Sequence, residues 1–181
     1  MTFSIIQGDL FDPSHDFAAL AQGVNTQGLM GAGIAVPFRE KWPAMYEDYK
    51  TLCAKFGPAL GGLVHTYRHW YEPEPTIYNM FSQVMPGKNG DYRLLQQAAI
   101  QVMLDAEDSL MDRVGLPWIG CGIAGLEKHN VAHIFGTVFG DSEVDFILVQ
   151  QDEIHAPVEQ EEVAHLDQTP GLLAAVRSAD K

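Results

Sequence analysis

The sequence predicts a single α/β domain in which helices cover both faces of a largely parallel sheet, giving three layers. Short apolar runs typical of strands alternate with helix-like apolar periodicity through most of the chain. The 181 residues, of which 46% are hydrophobic, are enough for one sizeable core but not for a second. Glycine-rich loops follow two of the predicted strands, at the edge where such folds bind ligands.

The individual elements follow from the apolar pattern. Strands are predicted at 3–7, 18–24, 63–67, 76–81, 116–119 and 146–149. Helices are predicted from 34 onwards, over 45–53, over 92–111 and over 131–138. Pro37 fits only if it lies in the first turn of its helix. The longest helix is expected to bury one apolar stripe, made of Leu95, Ala98, Ala99, Val102, Met103, Ala106 and Leu110.

The charge of the chain limits its partners. Acidic residues outnumber basic residues by 24 to 11, so the formal net charge is −13. This charge repels nucleic acid and anionic membranes, so we expect no membrane partner and no strong non-specific nucleic-acid binding. Because Met1 leads directly into the first predicted strand, we also expect no signal peptide and a cytoplasmic location. An anionic ligand would need local donors, such as backbone amides and helix N-termini.

Cysteine and histidine residues give no sign of a metal site. Cys53 lies on the apolar stripe of a predicted helix, which favours a buried thiol, and Cys121 lies inside a glycine loop. For Cys121 a small side chain under a tight backbone is favoured over a nucleophile. Five of the seven histidines show no ligand spacing with carboxylates, so we predict no metal and no cofactor; these are His65, His69, His133, His155 and His165.

The chain after Gln150 differs in composition from the rest. It holds Asp152, Glu153, Glu159, Glu161, Glu162, Asp167 and Asp180 against two basic residues, Arg177 and Lys181. We interpret residues 1–150 as the folded domain and residues 151–181 as an acidic extension with one short helix at 172–176. Structural decoration or a packing arm is favoured for this extension, and an interaction segment is the alternative.

Two glycine-rich loops are the clearest candidates for a binding site. The first glycine loop spans residues 25–35 (NTQGLMGAGIA), and the second spans residues 120–125 (GCGIAG). Each connects a strand end to a helix start, where glycine allows close backbone approach and the amides of the first helical turn are free. Both loops should emerge at the same edge of a parallel sheet and could together hold a diphosphate. Neither loop matches a P-loop or a dinucleotide-binding fingerprint.

Four motifs in order resemble those of the macrodomain family. They are Gln7-Gly8-Asp9-Leu10; Gly23-Val24-Asn25-Thr26; Gly31-Ala32-Gly33-Ile34-Ala35 with Phe38, Lys41 and Trp42-Pro43; and Ile119-Gly120-Cys121-Gly122-Ile123-Ala124-Gly125-Leu126. The third and fourth are most similar to the branch of terminal ADP-ribose glycohydrolases and of antitoxins that remove ADP-ribose from DNA. The resemblance covers roughly residues 3–150. It implies a three-layer fold with a mixed, largely parallel sheet, and ADP-ribose or an ADP-ribosylated substrate as partner.

The resemblance also implies roles for individual residues. Asp9 would accept a hydrogen bond from the adenine amine beside the Leu10 amide, although an Asp that caps the turn after a strand is the alternative. Asn25 would bind the distal ribose, with an Asx turn as its alternative. Phe146 or Ile147 would pack against adenine. The phosphates would be cradled by Gly31, Ala32, Gly33, Ile34, Gly120, Cys121, Gly122, Ile123, Ala124, Gly125 and Leu126.

Catalysis is where the sequence departs from the family. The glycohydrolases of this branch use a lysine after the strand that corresponds to 76–82, and Gln83 aligns with it here. An amide cannot form a Schiff base. Some members also use an Asp in the second loop, where this chain has Ala124. Lys88 is a possible substitute for the lysine, and His129 a possible general base, although a solvated helical histidine is the simpler interpretation.

Three functions remain open at this point. The first is hydrolysis of an ADP-ribosyl linkage, an ADP-ribose ester or ADP-ribose 1″-phosphate, with Asn25, Gln83 and His129 as candidate catalytic residues. The second is a non-catalytic module that binds or sequesters ADP-ribose. The third is a protein-interaction module in which the acidic extension makes the contacts. The first is favoured: the protein binds ADP-ribose or a derivative of it and hydrolyses the bound ligand.

Overall fold

The structure is a computed structural model that describes residues 3–69 and 74–151. Within these ranges a six-stranded sheet carries four α-helices, with short 3₁₀ turns at Pro13–His15 and Gly57–Leu60. The elements in chain order are β1 Phe3–Gln7, β2 Ala19–Asn25, α1 Ala35–Lys41, α2 Pro43–Phe56, β3 Val64–Tyr67, β4 Thr76–Gln83, α3 Tyr92–Asp108, β5 Arg113–Leu116, α4 Lys128–Phe139 and β6 Asp145–Gln150.

The strands form one mixed sheet in the order β1-β6-β5-β2-β4-β3. Among the six described strands, only β3 is antiparallel to its neighbour, β4, and the other pairings are parallel. The carboxyl ends of β1, β6, β5, β2 and β4 therefore share one edge of the sheet. The predicted three-layer α/β/α fold with a largely parallel sheet is confirmed.

Strand alternation divides the apolar residues between two cores. On β2, Ala19 and Ala21 pack with α3 and α4 on one face of the sheet, whereas Leu20 and Val24 pack with α1 and α2 on the other. Both cores contain side chains that are fully removed from water. The sheet is consequently covered on both faces, which is the usual condition of parallel strands.

Two sequence predictions about elements are wrong. The strand predicted at 116–119 lies at Arg113–Leu116, because Pro117 has no N–H for the ladder; Ile119 is buried, but in the loop that follows. Leu110 is not part of the α3 stripe, because the helix ends at Asp108. Leu110 instead has a positive φ of 51° and is 89% exposed.

Three further features that the sequence raises are a buried cysteine, membrane-spanning helices and the acidic extension. Cys53 is buried between α2 and the sheet, as predicted. None of the helices in the described ranges combines the length and the hydropathy that a membrane span requires. The predicted acidic extension lies almost entirely outside the described residues, and its role stays a prediction.

Candidate functional site

A cavity of about 770 Å³ opens at the edge where the five parallel strands end. It receives residues from the ends of β1, β2, β4 and β6, and from both glycine loops. The predicted site residues that line it are Asp9, Leu10, Asn25, Gly31, Ala32, Gly33, Ile34, Gln83, Gly120, Gly122, Ile123 and Ala124. The parallel topology thus brings four sequence motifs, spread over more than a hundred residues, into one wall.

Several residues that line this cavity have backbone amides without a partner in the described structure. In the first glycine loop the N–H groups of residues 31–34 donate to no acceptor among the described residues. In the second glycine loop the same holds for the N–H groups of residues 122–124. Unpaired amides beside a helix N-terminus are a common site for phosphate binding in proteins.

Some glycines in the two loops face open space. An added Cβ at Gly31 or at Gly122 would meet no atom within 4 Å. Neither residue has a positive φ, so the backbone conformation does not require glycine at these positions. Their small size is therefore unexplained by packing in the unliganded protein, and fits a surface that a ligand approaches closely.

The second glycine loop is braced by the segment that follows β4. Gly120 has a φ of 78°, and its added Cβ would lie 2.6 Å from Leu126 Cδ1. Gly125 has the same φ, and its added Cβ would lie 2.6 Å from Lys88 Cγ. The Gly90 N–H donates to the Ala124 carbonyl at 3.0 Å. Gly120 and Gly125 are thus needed by the fold itself.

Three predicted ligand-binding residues of this loop do not line the cavity. Leu126 is buried and packs under Gly120, and Gly125 is covered by the Lys88 side chain. The Cys121 thiol lies 3.8 Å from the Ile119 carbonyl oxygen. Burial raises the pKa of this thiol to about 11, so it is protonated near neutral pH and is not an activated nucleophile.

Asn25 combines the two interpretations that the sequence left open. Its Oδ1 accepts the N–H of Gln27 at 2.9 Å and of Leu29 at 3.3 Å, and its Nδ2 donates to the Leu29 carbonyl at 2.7 Å. The Asx turn therefore exists, and it shapes the first glycine loop. Asn25 also lines the cavity.

A tyrosine of α2 also holds Asn25 in place. The Tyr49 hydroxyl donates to the Asn25 backbone carbonyl at 2.6 Å and lies 3.2 Å from its Oδ1. Burial raises the pKa of this hydroxyl well above its usual range, so it remains a donor. Asn25 is consequently fixed from both sides before any ligand arrives.

A register shift places Gln83 opposite Asn25. Along β2 and β4, Val24 pairs with Phe81 and Asn25 pairs with Gln83, so Ser82 is an extra residue on β4. Gln83 lines the cavity, and its buried Oε1 has no hydrogen-bond partner among the described residues. A buried acceptor of this kind calls for a donor from water or ligand.

Asp9 has a structural role that uses one oxygen of its carboxylate. Its Oδ1 accepts the Phe11 N–H at 3.0 Å, so the turn-capping alternative is present in the structure. Asp9 and the buried Leu10 both line the cavity at the end of β1. Asp9 is the only acidic residue in the described lining.

Other predicted residues lie elsewhere. His129 is exposed on α4 and is not in the cavity wall, so its role as a general base has no geometric support. Lys88 does not line the cavity either, because its stem lies across Gly125. Phe146 is fully buried and stacks on Phe139 at 3.9 Å, and Ile147 is partly buried against the α1–α2 core. Neither residue lines the cavity.

Two cations in the wall were missed from the sequence. The Arg39 Cζ lies 5.9 Å from the centre of the Tyr46 ring, and the Lys128 Nζ lies 5.5 Å from the Trp118 ring. All four residues line the cavity. Their positions could have been predicted from the sequence, since each cation lies within the first two turns of the helix that follows a glycine loop. The described lining thus carries two cations and one acid in a protein of net charge −13.

In the described part of the chain, no group of three or more His, Cys, Asp or Glu side chains could hold a metal ion. In the aromatic segment 69–71, Trp70 and Tyr71 lie outside the described residues. His69 packs edge-on against Tyr67 with ring centres 4.9 Å apart.

Curated relatives match short parts of the chain. An ADP-ribose 1″-phosphate phosphatase of Ajellomyces capsulatus is 47% identical over 51 residues, which is 28% of this chain and 20% of that protein. A Candida albicans protein of the same name is 41% identical over 59 residues, 31% of this chain and 38% of that protein. The chain therefore spans well under half the length of these relatives.

Solved structures match over most of the chain. The macrodomain of Thermus aquaticus DarG superposes with a TM-score of 0.71 at 22% identity, covering 82% of this chain and 97% of that one. Thermosipho africanus DarTG in complex with ADP-ribose superposes with a TM-score of 0.74 at 18% identity, covering 86% of this chain and 43% of that one. At these identities the likeness concerns the fold. The family model for the Macro domain matches residues 21–135, more than half of the chain. The predicted family is confirmed: this chain belongs to the Macro domain family.

Proposed function

We propose that the protein binds ADP-ribose or an ADP-ribose derivative in the cavity at the strand ends and hydrolyses a bond at the distal ribose. The observation that supports the binding part is that residues 31–34 and 122–124, whose amides have no acceptor among the described residues, line one cavity. The names of the curated relatives, and the ligand of the Thermosipho africanus structure, point to the same nucleotide.

The diphosphate would lie between the two glycine loops. Its two negative charges need several donors, which the free amides supply without moving a side chain. Arg39 and Lys128 add local positive charge, which offsets the repulsion from a chain of net charge −13. Gly31 and Gly122 leave room for the phosphate oxygens to approach the backbone.

The two ends of the cavity differ in chemistry, and this supports an orientation for the nucleotide. Asp9 at the end of β1 would accept the adenine amine, because one of its oxygens is not used by the Phe11 N–H. Asn25 and Gln83 at the ends of β2 and β4 would face the distal ribose. Bonds at that ribose would be the ones within reach of hydrolysis.

Hydrolysis would depend on a positioned water. Gln83 cannot act as a nucleophile or remove a proton, but its unpaired Oε1 can accept a hydrogen bond from water or from a ribose hydroxyl. Asn25 holds the loop that orients the substrate. The rate enhancement would come from placement and from the phosphates of the ligand rather than from a strong base.

One observation favours the alternative, a non-catalytic ADP-ribose-binding module. Among the described lining residues there is no histidine, cysteine or glutamate, and the one aspartate lies at the opposite end from Gln83. A site without a general base can still bind tightly.

Calorimetry with ADP-ribose tests the binding part. We expect a dissociation constant in the micromolar range or tighter, and a folded sample that gives no heat overturns the proposal. Incubation with ADP-ribosylated protein, ADP-ribosylated DNA, O-acetyl-ADP-ribose and ADP-ribose 1″-phosphate tests the hydrolysis part. Turnover of one of them that is lost in Gln83→Ala supports the enzyme, whereas tight binding with no turnover of any supports the binding module.

A further inference from the structure

The chain leaves the folded domain at the rim of the cavity. Gln150, the last residue of β6, and Gln151 after it both line the cavity. Gln150 is held there, because its Oε1 accepts the Trp118 Nε1–H at 2.8 Å and its carbonyl accepts the Gly8 N–H at 3.1 Å. The segment that begins at Asp152 therefore starts at the cavity mouth.

A cation without an acidic partner lies beside this exit. The Lys128 Nζ is 5.5 Å from the centre of the Trp118 ring, so one indole contacts both Lys128 and Gln150. Lys128 lines the cavity and makes no ion pair with any described residue. Asp9 is the only acid in the described lining, so a carboxylate that approaches Lys128 meets little repulsion from the wall.

The segment after Gln151 has the opposite charge. Between Asp152 and Arg177 the sequence contains six acidic residues and no lysine or arginine. Five of the six fall within residues 152–162, namely Asp152, Glu153, Glu159, Glu161 and Glu162. An extended residue spans at most about 3.6 Å, so Asp152 and Glu153 stay within about 11 Å of Gln150, and the later acids can reach back over the cavity.

We propose that residues 152–162 occupy the Lys128–Trp118 end of the cavity in the unliganded protein and compete there with the anionic ligand. This proposal rests on the proposed function, which supplies that ligand. Carboxylates of the segment would pair with Lys128 and accept N–H groups of residues 122–124, which have no acceptor among the described residues. The ligand then binds only the fraction of molecules whose cavity is open, which lowers its apparent affinity by that fraction.

A segment of the same chain fits this end of the cavity better than a separate acidic partner. A separate polyanion would approach a protein of net charge −13 against long-range repulsion. The attached segment meets the wall at an effective concentration of about the millimolar range, because it begins only two residues after Gln150. Weak pairs with Lys128 are therefore enough to hold it, and an anionic ligand can displace it.

Neutralising the segment tests the proposal in the whole chain. We expect Asp152→Asn/Glu153→Gln/Glu159→Gln to bind ADP-ribose about 3–10-fold tighter than wild type, which corresponds to an open fraction of about 10–30% in wild type. The gain should be largest at about 20 mM salt and should shrink at about 0.3 M, because salt screens the exposed pairs. Calorimetry measures both affinities, and an unchanged affinity at low salt overturns the proposal.

A matched control removes three negative charges elsewhere. Asp141, Glu143 and Asp145 are exposed at the amino end of β6, whereas the cavity lies at its carboxyl end. Asp141→Asn/Glu143→Gln/Asp145→Asn should change the affinity for ADP-ribose by less than about twofold. Equal gains in this variant and in the segment variant would show that only net charge matters, which also overturns the proposal.

Lys128→Gln separates docking of the segment from simple repulsion of the ligand. In the Lys128→Gln background, neutralising the segment should raise affinity by less than about twofold, since the charge that holds the segment is gone. A gain as large as in the wild-type background means that the segment repels the ligand without contacting Lys128, and the proposal then fails.

Carbodiimide cross-linking gives a readout that needs no ligand. We expect an amide between the Lys128 Nζ and a carboxylate of residues 152–162, located by mass spectrometry, with a lower yield when ADP-ribose is present. Lys128→Arg is the control, because a guanidinium does not form this link. A folded sample without the link overturns the proposal. A sample that forms the link but binds no ADP-ribose, in wild type or in the segment variant, overturns the proposed function instead.

Discussion

In the first glycine loop Gly31 faces open space, whereas in the second loop Gly120 and Gly125 are pressed against Leu126 and Lys88. Gly122, only two residues from Gly120, behaves like Gly31. The first loop is shaped from within by the Asn25 side chain, and the second is held from outside by the segment after β4. Glycines that look equivalent in sequence therefore differ in role. The fold requires Gly120 and Gly125, whereas Gly31 and Gly122 leave space for a ligand.

The largest effect should come from a glycine that the fold requires. Gly120→Ala puts a non-glycine residue at a φ of 78° and a methyl group 2.6 Å from Leu126 Cδ1. We expect the free energy of unfolding to fall by about 2–4 kcal/mol, from backbone strain and overpacking together. Urea denaturation measures this.

The control for that experiment lies in α4. Gly136 has nothing within 4 Å of an added Cβ, so Gly136→Ala should raise stability by about 0.5–1 kcal/mol. A loss below about 0.5 kcal/mol in Gly120→Ala would contradict the distinction between the two kinds of glycine.

Substitution of the two open glycines should lower ligand affinity without lowering the free energy of unfolding. Gly31→Ala and Gly122→Ala add a methyl group where the unliganded protein has room. We expect unfolding free energies that are unchanged or up to about 1 kcal/mol higher. Affinity for ADP-ribose should fall about tenfold, because the methyl group occupies space that the phosphates need. Calorimetry and denaturation on the same samples give both numbers, and lower stability in either variant would argue against open glycines.

A smaller effect is expected at the residue that shapes the first loop. Asn25→Asp keeps the Oδ1 acceptor for Gln27 and Leu29 but loses the Nδ2 donor to the Leu29 carbonyl. We expect about 1 kcal/mol less stability from the lost hydrogen bond, and affinity for ADP-ribose about fivefold lower because a carboxylate now faces an anionic ligand. Asn25→Ala removes all three contacts and should destabilise more. An Asp variant that binds as tightly as wild type would show that Asn25 does not face the ligand.

The smallest effect should come from the thiol in the second loop. Burial holds the pKa of Cys121 at about 11, so the thiolate is scarce below pH 9 and grows as pH rises towards 11. We expect alkylation by iodoacetamide to be slow at pH 7 and to speed up with that profile. Cys121→Ala should change ADP-ribose affinity by less than about twofold. Rapid alkylation at pH 7 that abolishes binding would reverse this view.

The fold and the position of the site were predictable because their signals are local. Strand periodicity, helix periodicity and the two glycine loops each lie within a short stretch, and parallel topology then fixes which edge they share. The contacts that separate Gly120 from Gly122 were not predictable. They depend on Lys88 and Leu126 lying across the loop, which only tertiary packing decides.

The sequence also carries a local signal for the two cations of the cavity wall, because each follows a glycine loop. Lys128 begins α4 directly after the second loop, and Arg39 lies in α1 directly after the first. The net charge of −13 predicts repulsion of anions by the whole molecule, but it says nothing about single positive side chains near the loops. The adenine-side aromatic was misplaced for a different reason, since strand alternation turns Phe146 into the α3–α4 core.

The contrast between a cationic cavity and an acidic surface has a kinetic consequence. An anionic nucleotide is repelled while it diffuses towards the protein but attracted once it reaches Arg39 and Lys128. Added salt shortens the range of the first interaction more than that of the second, since the Debye length is about 10 Å at 0.1 M. Moderate ionic strength should therefore speed association, and the protein would capture its ligand faster at about 0.1 M salt than in dilute buffer.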